Sequence, residues 1–133
     1  MKNTGNKPRS KTSGMSKCGI DYDCKSQYLV LSKLEPLFWL HKHEIIKVDI
    51  NSIDVATSPT GRGWHVRFNA DLKGIPQRAI ELMAGDDPWR HAFSLHRGER
   101  EQSPLFHHKW KNGKKYSEKH NAQMTKRVKE AFK

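Results

Sequence analysis

Two stretches of this chain alternate apolar and polar residues, and they limit its fold more than any other feature. Ile46, Val48 and Ile50 are interleaved with Lys47, Asp49 and Asn51, and Trp64, Val66 and Phe68 with His65, Arg67 and Asn69. A period of two puts one set on a buried face and the other in solvent, so each stretch reads as a half-buried strand. Pro59, Gly61 and Gly63 make Thr57–Gly63 the loop between them. A helix follows: Pro76 suits its first turn, Ile75, Ala79, Ile80 and Met83 form one apolar face, and Gly85 is placed to end it. Asp86-Asp87-Pro88 reads as a turn. His91–His96 alternates a third time, with Phe93 and Leu95 inward and Ala92, Ser94 and His96 outward. Upstream, Tyr28–Leu40 is apolar-rich but holds Pro36, which suggests one short element to Leu34 and another through His41. Near the end, Met124, Val128 and Phe132 form the apolar stripe of a helix over Ala122–Phe132, with Lys126, Arg127 and Lys129 on its other side.

Strand, loop, strand, helix, strand describes an α+β sheet with its helices on one face. The other face stays open, and the period of two assigns to it Asp49, Asn51, His65, Arg67, Ser94 and His96. Polar side chains from three separate strands would then share one surface, which marks it as a candidate site. The simpler reading is a sheet face that is polar because water covers it.

The formal charge is +11, and it is unevenly spread. Residues 1–27 carry six Lys and Arg against two acids, residues 97–133 eleven against four, and residues 28–96 eight of each. The expected organisation is a basic, flexible N-terminal arm (1–27), a core (28–97) and a basic C-terminal extension with a helix (98–133). Basic ends around a neutral core suit a polyanion, because each Lys or Arg near a phosphate releases a condensed counterion. Arg90, Lys109, Trp110, Lys111, Lys114, Lys115, Lys126 and Arg127 are the candidate nucleic-acid contacts. Trp89 and Trp110 sit beside cations, where a ring can stack on a base; Trp39 and Trp64 are most simply core residues. A membrane partner fits worse, since no lysine cluster is paired with a long apolar face. The longest apolar runs, such as Leu37–Leu40, are four residues, and no apolar stretch follows the basic N-terminus as a secretory signal requires. A cytoplasmic protein is expected, nucleoid-associated or virus-encoded. Cys18 and Cys24 are too few for a disulfide framework and read as free thiols; the alternative, half of a metal site completed by Asp21, Asp23 or a histidine, has an unusual spacing for zinc.

The segment Ser58-Pro59-Thr60-Gly61-Arg62-Gly63-Trp64-His65 is the densest in chemistry. Two glycines around an arginine let the backbone turn tightly and bring N–H groups close to a ligand. Arg62 adds a forked cation, Thr60 a hydroxyl and His65 a donor at the start of the next strand. These are the parts of a cradle for a triphosphate or a phosphate backbone.

With Asp49-Ile50-Asn51 before it and Gly85-Asp86-Asp87-Pro88-Trp89-Arg90 after it, this segment resembles the core of the archaeo-eukaryotic primases and primase-polymerases. The resemblance implies an RNA-recognition-motif-like sheet with helices on one face, and nucleotidyl transfer in DNA replication that depends on Mg2+ or Mn2+. It implies that Asp49 and His65 are catalytic, that Thr60, Arg62, His65 and Arg67 bind the nucleotide, and that Asp49 and Asn51 lie at the metal. Two positions depart from the family pattern: Asn51 stands where it has a second carboxylate, and Ser94 where its third-motif aspartate would fall. Mg2+ holds its waters tightly and neutral ligands displace them poorly. The expected partners are nucleic acid, DNA ahead of RNA, a nucleoside triphosphate, and a replication or virion partner. The alternative is a non-catalytic binding or packaging protein that keeps the fold. Third comes a Rep-type nicking nuclease, with His41-Lys42-His43 or His107-His108 at its metal and Tyr116, near Lys119, as nucleophile. Against it, Lys42 occupies the place of a hydrophobic residue.

Overall fold

Cys18, Ile20 and Tyr22 alternate inward along β1 (Ser16–Tyr22) and are all buried. The structure, a computed structural model, describes residues 14–97, Leu105 and residues 107–133. About half of the expected N-terminal arm, residues 1–13, lies outside the described residues. The arm reading does not extend to Ser16–Tyr22, because three buried side chains commit that stretch to the core.

Helix α1 (Gln27–Lys42) is continuous through Pro36. Ser26 caps it by accepting the N–H of Leu29 at 3.1 Å, and Val30, Leu34, Leu37 and Leu40 form its buried stripe. A proline inside a helix costs about 3 kcal/mol. Burying Leu37 and Leu40 beyond it returns roughly 1.5–3 kcal/mol each, so one helix replaces the two expected pieces. Trp39 falls off the stripe; it is 56% exposed, against expectation, and packs on the ring of His43.

Strand β2 (Lys47–Thr57) and β3 (Trp64–Asp71) flank the predicted loop and pair antiparallel. Their register is broken: Asp49 lies opposite Asn69, whereas Asp54 lies opposite Arg67. The surplus residues on β2 form an irregularity that Ser52 fills, its hydroxyl accepting from Asn69 N at 2.8 Å and donating to Asp49 O at 2.6 Å. The break also changes which parity faces inward. Ile46 and Val48 are buried before it, Ile53 and Val55 after it.

Helix α2 (Gln77–Met83) starts after Pro76, buries Ile80 and leaves Met83 half exposed. Residues expected to form a third strand form helix α3 (Pro88–His96) instead. Asp87 caps it by accepting from Trp89 N at 3.0 Å, and Pro88 sits in its first turn, so the predicted turn is a helix start. The alternation of Phe93 and Leu95 does not reflect burial, since both are exposed and His91 is the buried residue. A hairpin, β4 (His108–Lys111) and β5 (Lys114–Ser117), turns through Asn112 and Gly113, both at positive φ. The short β6 (Lys119–His120) and helix α4 (Ala122–Phe132) complete the chain. Met124, Val128 and Phe132 are buried as the stripe predicts, with Phe132 edge-on to Phe38.

The protein is thus α+β, with one four-stranded antiparallel sheet in the order β1-β3-β2-β6 and the β4-β5 hairpin separate. The core lies between the sheet and helices α1 and α4. No helix among the described residues is long and apolar enough to cross a membrane.

Among the described residues, the outer edge of β1 has no partner strand. Side chains of α2, α3 and the turn between them take that place. Gln77 Nε2 donates to Lys17 O (2.8 Å), Gly19 N to Glu81 Oε2 (2.9 Å), Arg90 to Gly19 O (3.2 Å), and Asp21 N to Asp86 Oδ1 (2.7 Å). Asp86 also accepts from Arg90 at 2.7 Å and His91 Nε2 at 2.6 Å. Removing a buried partner strands the groups it served. Asp86→Ala is therefore expected to destabilise the fold by about 3–5 kcal/mol, read as a lower urea midpoint; a loss below about 1 kcal/mol would show that the edge does not depend on this carboxylate.

Candidate functional site

His65 and Arg67 sit two positions apart on β3, on the face away from the core, because Val66 and Phe68 point into it. Across the ladder, His65 lies opposite Asp21 of β1 and Ala56 of β2. The result is a compact charge cluster. Asp21 Oδ1 lies 3.4 Å from His65 Nε2, and the other ring nitrogen, Nδ1, is hydrogen-bonded to Glu118 Oε2. Arg67 forks onto the same carboxylate, to Oε1 at 2.9 Å and Oε2 at 2.7 Å, and donates to Leu105 O at 3.2 Å. His107 Nδ1 adds a contact to Glu118 Oε1 at 3.1 Å.

Burial disfavours a charged imidazole, but hydrogen bonds and charge from Asp21 and Glu118 outweigh it and hold the His65 pKa above its ordinary 6.5. Burial likewise pushes the Glu118 carboxyl up, and the opposing hydrogen bonds and charges of Arg67 and His65 bring it below its ordinary 4.5. Both shifts favour the charged forms, so a cationic His65 and Arg67 face the Glu118 carboxylate.

The loop places this histidine. Ser58 Oγ accepts from Gly63 N at 3.1 Å and lies 3.2 Å from Thr60 Oγ1, while Gly61 turns at φ 73°. A Cβ on Gly63 would lie 1.9 Å from Tyr22 O. Only glycine lets the loop close onto the end of β1, and that approach brings Asp21 beside His65. Thr60 and Arg62 are exposed at the rim, with the Thr60 hydroxyl turned toward Ser58 and Arg62 N.

The expected pair of Asp49 and His65 is not formed. Asp49 shares the face of Asn69, four residues further along β3, or about 13 Å at roughly 3.3 Å per residue. Asn51 is exposed in the irregular stretch of β2. Ser94 and His96 belong to helix α3 rather than to the sheet. The open face therefore has a different membership from that expected: the acids beside His65 are Asp21 and Glu118.

This membership does not fit Mg2+ or Mn2+ as the resemblance implied. Asp49 and Asn51 are remote from His65, and Glu118 is engaged by His65, Arg67 and His107. That leaves Asp21 beside His65, while Asp54, opposite Arg67, is already bonded to His120 at 2.6 Å, too few free anionic oxygens for a hard cation. Among the described residues, metal-type donors also converge at Glu81, Asp86 and His91, all buried and within 4.8 Å of one another. Asp86 there is already paired with Arg90. Glu81 Oε1 and His91 Nδ1 have no hydrogen-bond partner among the described residues, and burial raises the Glu81 pKa, favouring the neutral acid. These residues hold the β1 edge.

The basic candidates separate into groups. Lys109, Trp110, Lys111, Lys114 and Lys115 lie on the hairpin, every residue of which is exposed. Lys111 sits directly opposite Lys114, and Lys114 Nζ lies 5.7 Å from the Tyr116 ring centre. Lys126 and Arg127 are exposed on α4, which packs on the core face, so they lie on the far side of the sheet from His65. Arg90 is not a surface contact, because it is committed to Asp86 and Gly19 O. The nicking-nuclease pattern does not assemble: His41 Nδ1 accepts from Val48 N at 3.1 Å, and Tyr116 lies on a strand of the hairpin rather than on a helix. Cys18 and Cys24 are free thiols, with Cys18 in the core.

Asp21 and Glu118 were missed, yet both left a trace in the sequence. Asp21 stands in Lys17–Tyr22, where inward Cys18, Ile20 and Tyr22 already show a period of two. Glu118 is the one acid between Glu101 and Glu130. No protein-family model, curated protein or solved structure matches this chain.

The cluster makes a prediction about pH. His65, with its raised pKa, stabilises the fold fully below about 6.5 and loses that contribution as pH rises through its folded value. Glu118, with its lowered pKa, contributes fully above about 4.5 and loses its share as pH falls through its folded value. Stability should plateau between these limits. His65→Gln should flatten the decline on the alkaline side, as followed by chemical denaturation from pH 4 to 9; an unchanged decline would place its cause elsewhere.

Proposed function

We propose that this protein binds nucleic acid, with a strand lying over the open face of the sheet and its phosphates drawn to His65 and Arg67. The observation that carries this reading is the hairpin His108–Ser117. Every one of its residues is exposed, it carries Lys109, Lys111, Lys114 and Lys115 with Trp110 and Tyr116 among them, and it leads directly into Glu118, which bonds His65 and Arg67. Like charges directly opposed across a ladder destabilise it, and Lys111 faces Lys114. A polyanion relieves that repulsion. The lysines supply counterion release, and Trp110 supplies a ring for a base to stack on. Thr60 and Arg62 extend the cationic rim at the loop.

The primase-like kinship is part of this proposal. Support for it comes from the chain order β1-α1-β2-β3 with β3 placed between β1 and β2, the split β-α-β arrangement that an RNA-recognition-motif-like sheet uses, and from the Thr60–His65 loop. Nucleotidyl transfer is a second reading, favoured by the closeness of Asp21 to His65. The binding reading stands ahead of it because the carboxylates available do not form a hard-metal site. Binding to DNA ahead of RNA, in replication or in a virion, remains the wider context proposed.

Fluorescence anisotropy with labelled single-stranded DNA and RNA tests the binding. With on the order of six phosphate contacts on a single strand, affinity should fall roughly three-hundredfold between 50 and 200 mM salt. Replacing Lys109, Lys111, Lys114 and Lys115 by alanine should weaken binding and reduce the log–log salt slope by about 3. No binding at 50 mM salt, or an unaltered slope in the variant, would refute the proposal. Primer extension on a single-stranded template with Mn2+ tests the second reading, which predicts product that is lost in Asp21→Asn.

A further inference from the structure

Glu118 occupies the place that the proposed function gives to a phosphate. Its two oxygens accept both arms of the Arg67 fork, at 2.9 and 2.7 Å, together with one ring nitrogen of His65 and, at 3.1 Å, one of His107. Four donor atoms from three side chains converge on one small anion. A forked guanidinium accepts carboxylate and phosphate in the same two-point geometry, so a cradle that fits one fits two oxygens of the other. The cradle is built rather than incidental. His65 is buried, its second nitrogen faces Asp21, and Arg67 is held in addition by the carbonyl of Leu105. Leu105 is itself buried, its Cδ1 lying 3.2 Å from where a Gly19 Cβ would stand.

The backbone around Glu118 is fixed at both ends. Glu118 N donates to His107 O at 2.8 Å, and after it Lys119 and His120 pair with Thr57 and Ala56 of β2. Asn121 N then donates to Val55 O at 2.9 Å. The backbone on either side is bonded independently of the carboxylate, so only the Glu118 side chain, 8% exposed, would have to rotate for it to leave. His107, the outermost of its partners, has a side chain 74% exposed.

We infer that Glu118 is an intramolecular stand-in for a phosphate group, closing the His65–Arg67–His107 cradle until a phosphate of a nucleotide or a nucleic-acid strand takes its place. The inference rests on the proposed phosphate-binding role of this face. With Glu118 in position, Glu118 and Asp21 balance His65 and Arg67. When its carboxylate swings out, the cradle presents a net positive field to the incoming group. The exposed lysines of the hairpin, next along the chain, attract a polyanion to the spot. A ligand whose phosphate competes with Glu118 binds more weakly than the cradle alone would permit, and so binding favours ligands that also engage the hairpin.

The test compares the full-length protein with Glu118→Gln, which keeps the size of the side chain and removes its charge. Isothermal titration with sodium tripolyphosphate isolates the cradle, and titration with single-stranded oligonucleotides, with and without a 5′ phosphate, separates a terminal phosphate from the internal backbone. Tripolyphosphate should bind Glu118→Gln at least tenfold more tightly than the wild type, and Arg67→Ala in the same background should remove the gain. If a 5′ phosphate alone produces the gain with oligonucleotides, the ligand is a chain end or a nucleotide; if both oligonucleotides gain, it is the backbone. Equal or weaker tripolyphosphate binding by a Glu118→Gln protein with wild-type circular dichroism overturns the inference while leaving the phosphate site standing. If neither protein binds tripolyphosphate, the phosphate-binding role of the face fails with it. Should Glu118→Gln not fold, nitrogen-15 spectra of wild-type His65 and Arg67 side chains decide: tripolyphosphate must shift both sets of resonances, and unmoved resonances reject the proposal.

Discussion

Strand β1 is bonded to the sheet along one side, and the structure depends on how its other side is satisfied. A bare edge exposes N–H and C=O groups that invite pairing with another chain. Here Gln77, Glu81, Asp86 and Arg90 meet those groups one after another, so that helical side chains do the work of a strand. Burying two carboxylates is costly. The cost is offset by backbone donors, by Arg90 and His91 on Asp86, and at Glu81 by a raised pKa that favours the neutral acid. What this secures is the position of β1, and with it the position of Asp21 against His65.

The two faces of the sheet then have different tasks. On the covered face, α1 and α4 bury a continuous apolar layer, in which Phe132 meets Phe38 and Phe68. On the other face the polar residues are not an even, water-covered scatter. They gather into one cluster in which each charged group has an opposite neighbour. Its members come from β1, β3 and the segment between β5 and β6, so it also ties the end of the hairpin to the sheet. The hairpin has no such balance, because its lysines are exposed and Lys111 opposes Lys114. A neutral cluster beside an unbalanced cationic arm is the contrast on which the functional reading rests.

Parts of this were legible in advance. The strands around Trp64–Asn69 and Val48, the loop at Pro59–Gly63, the start of α2 after Pro76 and the stripe of α4 are all local patterns, set by the period of side chains and by backbone punctuation. The misreadings are places where a local rule met a stronger competitor. Pro36 signals a break, but buried leucines on both sides of it carry α1 through. Phe93 and Leu95 alternate like a strand, but the Asp87-Pro88 cap starts a helix. The run from Asp49 to Asn51 continues the alternation of β2, but the register break at Ser52 ends it and leaves Asp49 near Asn69.

The amino-acid sequence on its own determined the α+β class, the loop that ends in His65, and the segregation of positive charge to the two ends. Each follows from neighbours within a few positions, where side-chain period, glycine, proline and charge act directly. Tertiary structure alone decided which acids stand beside His65. Asp21 and Glu118 lie 44 and 53 positions from it; one arrives because β1 pairs with β3, the other because the chain returns to β2 through β6. Contacts at that separation are set by strand order and register, which depend on the burial of the whole core: the period of two in β1 gives the face of Asp21, but not which strand it pairs with.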